Sequence, residues 1–249
     1  MKAFQPQPQD IDATYGRLAE LYDEAFCDIR VRRDEWKWLS DRVSAGGRVN
    51  VLDIGCGNGA LLNALSDRIE YGAGVDESEA MLAKARERSV TKHNLEFFKI
   101  DSPLLPFPDA RFDIAISLMS FRYLDWDPLL SEIKRVTKPE GIFLVVDMVT
   151  VPVKLREYPR LLTDRIRTSL NLRSNREFQA NLRKLVTSPD WRTMLHYNPI
   201  RSEHEMKWYL ESRFPGHQLE VLNLGWNARI VAFNSGPVSS ARQAVLCYP

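Results

Sequence analysis

Three acidic residues and three glycines carry the chemical information in this chain. Asp53 stands two residues before Gly55-x-Gly57-x-Gly59, in the stretch VNVLDIGCGNGA from Val49 to Ala60. Asp76 follows the apolar run Tyr71–Val75, and Asp101-Ser102 follow Leu95–Ile100. Glycines at this spacing let a backbone come close to a ligand, because no Cβ intervenes. The helix expected to start near Asn58 points its free N–H groups back at the turn. A carboxylate just before such a turn repels a pyrophosphate but accepts hydrogen bonds from an ammonium group. One at the end of the next strand can accept both hydroxyls of a ribose, and an acceptor past a third strand suits the exocyclic amine of an adenine. The set describes a cationic amino acid joined to an adenosine. Gly55-x-Gly57-x-x-Ala60 also satisfies the dinucleotide fingerprint with alanine last, which makes an NAD(P) enzyme the first rival. Asp53 and the third glycine weigh against it.

The elements that must position these residues follow from hydrophobic spacing. Apolar runs at Val49–Ile54, Tyr71–Val75, Leu95–Ile100, Phe112–Ser117 and Gly141–Asp147 read as strands. Helical patterns at Ala60–Ile69, Ser78–Ser89 and Pro128–Val136 alternate with them, which argues a parallel, doubly wound sheet. Two further strands, Gln218–Leu224 and Ala228–Asn234, form a hairpin-like end to the sheet. The expected fold class is therefore α/β, a doubly wound, seven-stranded, mostly parallel sheet. Helices over Asp10–Phe26 and Arg33–Val43 precede it, with Gly46 and Gly47 closing the second. Ser202–Phe214 reads as a helix with Ser202 as N-cap and Glu205 three residues on, a capping box. Residues 1–9 and those after Ser235 read as tails.

Between the fifth strand and Ser202 the alternation stops. Residues 151–201 hold 11 Lys/Arg against 4 Asp/Glu, whereas the whole chain carries a formal charge of only +1. The segment is helical in pattern, with breaks at Pro152, Pro159, Pro189 and Pro199. Its place in the chain makes 148–201 an inserted helical lid within one domain of 1–249, with 10–45 as an N-terminal helical cap. Its charge could steer an anionic substrate or nucleic acid, or simply line solvated helix faces.

An apolar content of 44% and a charged content of 27% are ordinary for a globular protein. The longest apolar runs are far too short to span a bilayer, so no membrane partner is expected. Cys27, Cys56 and Cys247 cannot all pair and none has metal-ligand spacing; a cytoplasmic location is the default, and the four histidines assemble no ligand set, so no metal is expected.

The stretches VLDIGCGNG, GVDESEAML, FFKIDSPLLPFPDARFDIAISLMSFRYL and LLSEIKRVTKPEGIFLVVDM resemble class I S-adenosylmethionine-dependent methyltransferases. The similarity is to the broad small-molecule group that includes ubiquinone/menaquinone-type and polyketide-tailoring enzymes. It spans Tyr15 to Asp147 strongly and the last helix and strands loosely. It implies S-adenosyl-L-methionine as cofactor, with S-adenosyl-L-homocysteine as product. By resemblance, Asp53, Gly55 and Gly57 hold the methionine part, Asp76 the ribose, and Glu77 and Met81 flank the adenosine. Asp101 and Ser102 meet the adenine, Ser117 and Met119 sit near the sulfonium, and Tyr22 closes over the cofactor. Two departures stand out. Phe121-Arg122-Tyr123 replaces the usual His-rich stretch after the fourth strand, and Lys138-Pro139-Glu140-Gly141 replaces a Lys-Pro-Gly-Gly turn.

Methyl transfer from a sulfonium needs alignment and water exclusion more than a catalytic group, and a base only if the acceptor holds its proton at neutral pH. Candidates for that role are Tyr123, His196 and Tyr15. Trp126, Trp191, Tyr197 and Trp208 are candidates for an apolar acceptor pocket. The expected reaction is transfer to an O or N atom of a small-molecule, aromatic or biosynthetic acceptor, by a monomer or homodimer. A tRNA or rRNA methyltransferase using the basic 151–201 segment is the alternative, although Ser117-Leu118-Met119-Ser120 lacks the Asn-Pro-Pro-aromatic signature of amino-group methylation of nucleic acids. A non-catalytic cofactor-binding subunit is the third reading.

Overall fold

The computed structural model describes residues 11–44, 47–197 and 199–240. The expected tail at 1–9, Gly46 and Cys247 lie outside them, and the side chains of Tyr15 and Tyr197 are likewise not described. Seven strands form one sheet in the order β3-β2-β1-β4-β5-β7-β6. They are β1 (Asn50–Ile54), β2 (Tyr71–Asp76), β3 (Leu95–Lys99), β4 (Phe112–Leu118), β5 (Thr137–Thr150), β6 (Glu220–Leu224) and β7 (Ala228–Pro237). The first five pair in parallel, and β7 runs antiparallel to both β5 and β6.

Strand period two explains why both faces are apolar. On β1, β4 and β5, Leu52, Ile54, Ala115, Phe143 and Val145 pack to one side, with α5 (Trp126–Val136) and α9 (Glu203–Arg213). Val51, Ile114, Ile116, Leu144 and Val146 pack to the other, with α2 (Arg33–Ser44) and α3 (Ala60–Leu65). The remaining sheet-side helix is α4 (Glu79–Arg88), capped by Ser78, whose hydroxyl accepts the Met81 N–H. A third apolar cluster is separate from the sheet. It joins Leu18, Ala25 and Phe26 of α1 (Ile11–Phe26) to Leu185 of α7 (Arg176–Thr187) and Met194 of α8 (Pro189–Tyr197). The helix between β5 and α7 is α6 (Tyr158–Ser174).

Several boundaries differ from the sequence reading. The helix after the glycine turn begins at Ala60 and ends at Leu65, with a 3₁₀ turn over Ser66–Arg68. The α5 helix starts two residues ahead of Pro128, because a proline fits the first helical turn, where its missing N–H has no intrahelical partner. The strand β5 is twice the expected length. Phe112 pairs with Thr137 and Ile114 with Ile142, so Lys138–Gly141 bulges out within the strand; the turn survives inside it. Ser202 caps α9 by accepting the Glu205 N–H, but the Glu205 carboxylate pairs with Arg201 instead of closing the expected box. β7 continues to Pro237 and a 3₁₀ turn follows over Val238–Ser240, where a tail was expected.

Candidate active site

All three glycines of the turn have left-handed backbone, with φ of 71° at Gly55, 52° at Gly57 and 69° at Gly59. A Cβ on Gly55 would lie 2.4 Å from the Ser120 Cβ. That contact holds the turn against the end of β4, where Ser120 donates to the Ile54 carbonyl at 2.6 Å and bonds the Ser117 hydroxyl at 2.7 Å. Gly55 and Cys56 both donate to the Val75 carbonyl. At Gly57, in contrast, a Cβ would meet only the Tyr22 ring, at 4.0 Å. This face of the turn is open to a ligand.

Two carboxylates lie near that opening: Asp76 lines it, and Asp53 borders a small adjoining void with Tyr22, Gly55 and Gly57. Asp53 is buried, and its Oδ1 has no hydrogen-bond partner. Burial pushes its carboxyl up to about 8, and the nearby Asp76 adds to the shift. Asp76 accepts the Gly57 N–H at 2.8 Å and the Ser78 N–H at 2.9 Å. Burial still raises its pKa, although those N–H groups pull the other way. Two desolvated carboxylates with one orphan oxygen fit a group that brings a positive charge, since a buried unpaired acceptor is otherwise costly. The second lone pairs on Asp76 are free for hydroxyl donors. The residues therefore fit the methionine and ribose parts of S-adenosylmethionine.

The opening leads into a cavity of about 650 Å³ between the carboxyl edge of the sheet, α1 and helices α6–α8. Tyr22, Gly55, Gly57, Asp76, Glu77, Met81, Met119 and Tyr123 line one half. Met119 holds a strained φ of 60°, the kind of backbone outlier that gathers at functional sites. The other half comes from the inserted segment: Phe178, Leu182, Trp191, Met194 and Leu195 make it mostly apolar, with Arg167, Thr168 and Asn171 of α6 beside them.

Comparison with known proteins agrees with this geometry. A family described as a methyltransferase domain matches residues 52–145, from inside β1 to the middle of β5. Residues 52–145 carry a methyltransferase domain. A demethylmenaquinone methyltransferase from Clavibacter sepedonicus is 29% identical over 60% of this chain and 62% of its own. A malonyl-[acyl-carrier protein] O-methyltransferase from Erwinia pyrifoliae is 33% identical over 53% of this chain and 49% of its own. The chain thus spans less than two thirds of either relative. A crystal structure of a SAM-dependent methyltransferase from Aquifex aeolicus has the same fold, with a TM-score of 0.55 and 19% identity over 90% of this chain and 98% of that one.

The methyltransferase domain leaves several sequence candidates away from the cavity. Asp101 and Ser102 are exposed beyond the end of β3. Asp101 lies 3.4 Å from the Lys99 amine, and Ser102 accepts the Leu104 N–H. Ser117 is fully buried and supports Ser120 beneath the turn. His196 is exposed on α8 and does not line the cavity, whereas its neighbours Met194 and Leu195 do. Among the aromatic candidates, Trp191 faces the cavity. Trp126 stacks on Phe121 in the core, and Trp208 is 62% exposed on α9.

Two supporting clusters escaped the sequence reading. Asn58 donates to Asp23 at 2.9 Å and to the Phe26 carbonyl at 3.1 Å, while Arg88 pairs with Asp23 and donates to the Asn58 carbonyl. This pins α1, and Tyr22 with it, over the glycine turn. Beneath Tyr123, Arg122 forms a buried ion pair with Asp147 of β5 and donates to the Tyr123 hydroxyl at 2.6 Å. Asp147 also accepts the Arg122 and Met148 N–H groups. Burial raises the Tyr123 phenol, and the Arg122 charge opposes it. The only sequence signal was the replacement of a His-rich stretch by Phe121-Arg122-Tyr123.

Proposed function

We propose that this chain is an S-adenosylmethionine-dependent methyltransferase acting on an O or N atom of a small-molecule acceptor, with residues 148–201 as a lid over the acceptor and 10–45 as a cap over the cofactor. The observation that carries the reading is the orphan Asp53 oxygen beside the open face at Gly57, across from an Asp76 already held by two N–H donors. Asp53 would take the ammonium group, Asp76 the ribose hydroxyls, and Glu77 and Met81 the adenosine side of the cavity. Asp101 and Ser102, on the outer surface, have no part in this assignment. An oxygen acceptor has support in the name of one relative, the malonyl-[acyl-carrier protein] O-methyltransferase of Erwinia pyrifoliae.

A bound sulfonium supplies a methyl group activated for in-line displacement and leaves as the neutral thioether of S-adenosyl-L-homocysteine. The chain's own work is alignment and exclusion of water. Met119 and the Gly55–Ser120 contact fix the floor at the end of β4. A guanidinium can only donate, so Tyr123 accepts from Arg122 and its own proton is left for a group in the cavity. Tyr123 therefore orients the acceptor, with Arg122 and Asp147 positioning Tyr123. The apolar half of the cavity suits an aromatic or aliphatic acceptor body. The RNA alternative is weakened by bases already engaged: Arg160 with Asp164, Arg167 with Asp34, Lys184 with Glu24 and Arg201 with Glu205.

Calorimetry with S-adenosylmethionine tests the core of the proposal. Asp76→Ala is expected to weaken binding by about 1.5–3 kcal/mol through loss of charge-assisted hydrogen bonds. No binding by the wild type, or equal binding by Asp76→Ala, would sink it. Tyr123→Phe is expected to lower kcat about tenfold and leave cofactor affinity unchanged.

A further inference from the structure

The outer face of α6 carries an apolar stripe that no described residue covers. Tyr158, Leu162, Ile166 and Leu170 recur every fourth residue and are 46%, 62%, 53% and 58% exposed. At about 100° per residue the four span an arc of about 120°. The opposite arc faces inward with Leu161 and Asp164, both buried, and with Thr168 and Asn171 on the cavity wall. Leu155, 86% exposed, extends the stripe at one end. Trp226, 52% exposed on the β6–β7 turn, meets Tyr158 edge-on, and the Arg165 guanidinium sits 5.5 Å from its ring centre. Soluble proteins rarely leave so continuous an apolar surface bare.

Charge decides what would cover it. Lys154, Arg156, Arg165 and Arg173 are exposed, and Arg160 and Arg167, also exposed, are each engaged by one acid, Asp164 and Asp34. The two acids of the same stretch turn inward: Glu157 pairs with Arg229, and Asp164 accepts the Leu224 N–H. The outer face is thus apolar and basic without exposed acid. A second copy laid across it would oppose like charges along the whole helix, which is unfavourable. An anionic lipid surface complements both properties, since an amphipathic helix lies in the headgroup plane with its apolar side buried and its basic residues at the phosphates.

We propose that the outer face of α6, with Leu155 and Trp226, docks this chain onto anionic membrane surfaces. No described helix is long and apolar enough to cross a membrane, so the association is peripheral, a contact that the absence of long apolar runs in the sequence gave no reason to expect. The inner side of the same helix lines the cavity, so docking would set the lid between the lipid and the acceptor half of the site. Docking itself does not depend on the methyl-transfer reading.

Vesicle flotation of the whole chain tests this. Binding to phosphatidylglycerol-rich vesicles is expected to exceed binding to phosphatidylcholine alone by about tenfold or more, and to fall as salt screens the arginines. Leu162→Ser/Ile166→Ser/Leu170→Ser, at exposed positions, is expected to lose at least about tenfold in partitioning with an unchanged circular dichroism spectrum. Arg165→Gln/Arg173→Gln leaves the stripe intact and is expected to bind more weakly with a flatter salt dependence. Equal binding to both lipid compositions, or full binding by the triple variant, would overturn the proposal. So would a wild-type dimer that the triple variant splits without any vesicle binding, or retention by an RNA oligomer in place of vesicles.

Discussion

The two halves of the cavity are built on different physics. The cofactor half rests on backbone: three left-handed glycines, N–H groups aimed at Asp76, and strand ends fixed by the register of a buried sheet. The acceptor half rests on side chains of α6–α8: α7 and α8 share a small apolar cluster with α1, and α6 and α7 also make exposed ion pairs to Asp34 and Glu24. A backbone cradle tolerates little variation because its donors are fixed in space. A lid of helices can be refilled with different side chains at small cost in stability. The comparison predicts that the cofactor site survives without the lid, whereas turnover does not.

The largest expected effect follows directly. Thr150 donates to the Arg201 carbonyl at 2.9 Å and pairs with Ser202, so the ends of the insertion are neighbours. Replacing residues 151–200 by a two-glycine link is expected to reduce turnover by more than about a thousandfold, since water would enter the reacting geometry. Cofactor affinity should fall only about tenfold, because α1 loses the support of Leu185 and Met194 and Tyr22 loosens with it. A single-turnover assay and calorimetry on the same protein separate the two halves. Retained turnover would remove the lid from the mechanism.

The cradle can be broken from inside. Gly55→Ala must hold φ near 71° and place a methyl 2.4 Å from the Ser120 Cβ. A cost of about 2–4 kcal/mol in stability is expected, from left-handed strain plus overpacking. Ser120→Gly in the same chain should recover the overpacking part, which denaturant unfolding would show.

A subtler probe uses the carboxyl of Asp53, raised from an ordinary 3.8 to about 8. A raised carboxyl favours the folded state when protonated, so the stability it contributes is complete below about pH 3.8 and is lost as pH rises through 8. The free protein is therefore expected to melt progressively lower as pH climbs toward 8, and Asp53→Asn to flatten the trend. A cationic ligand needs the ionised form. Cofactor affinity should rise about tenfold per pH unit up to pH 7 and level off near 8, with release of about one proton on binding. Calorimetry in buffers of different ionisation enthalpy measures that proton. Uptake instead of release would place the ammonium group elsewhere.

What was legible in the sequence follows the same division. The placement of Asp53, the glycines and Asp76 around one turn could be read because it depends on position along β1, its turn and the end of the neighbouring β2, where spacing determines geometry. The mostly parallel, seven-stranded sheet followed from alternation and apolar runs, and its strand order came with the structure. The Arg122–Asp147 pair could not be read, since its partners are joined only by the β4–β5 register. Nor could Asn58–Asp23–Arg88, which needs α1, the turn and α4 to meet. Asp101 illustrates the converse: a strand-end acid expected at the adenine stands exposed past the end of β3, 3.4 Å from the Lys99 amine, a placement that strand spacing alone does not specify. Periodicity marked Trp126 and Trp208 as aromatic without saying which way their helices would face.

The smallest effect tests how the lid is fastened. Lys184 lies 3.3 Å from Glu24 of α1, with the two side chains 60% and 47% exposed. An ion pair that wet gains little Coulomb energy and loses side-chain entropy, so Lys184→Ala is expected to cost about 0.5 kcal/mol or less, and nothing at high salt. Its neighbour Leu185 is fully buried against α1 and supplies the adhesion instead. If Lys184→Ala raised the KM for acceptor strongly while the melting temperature held, the pair would be setting the lid's closed position. The acceptor half would then be fixed by electrostatics as the cofactor half is fixed by backbone, and the division between the two would narrow.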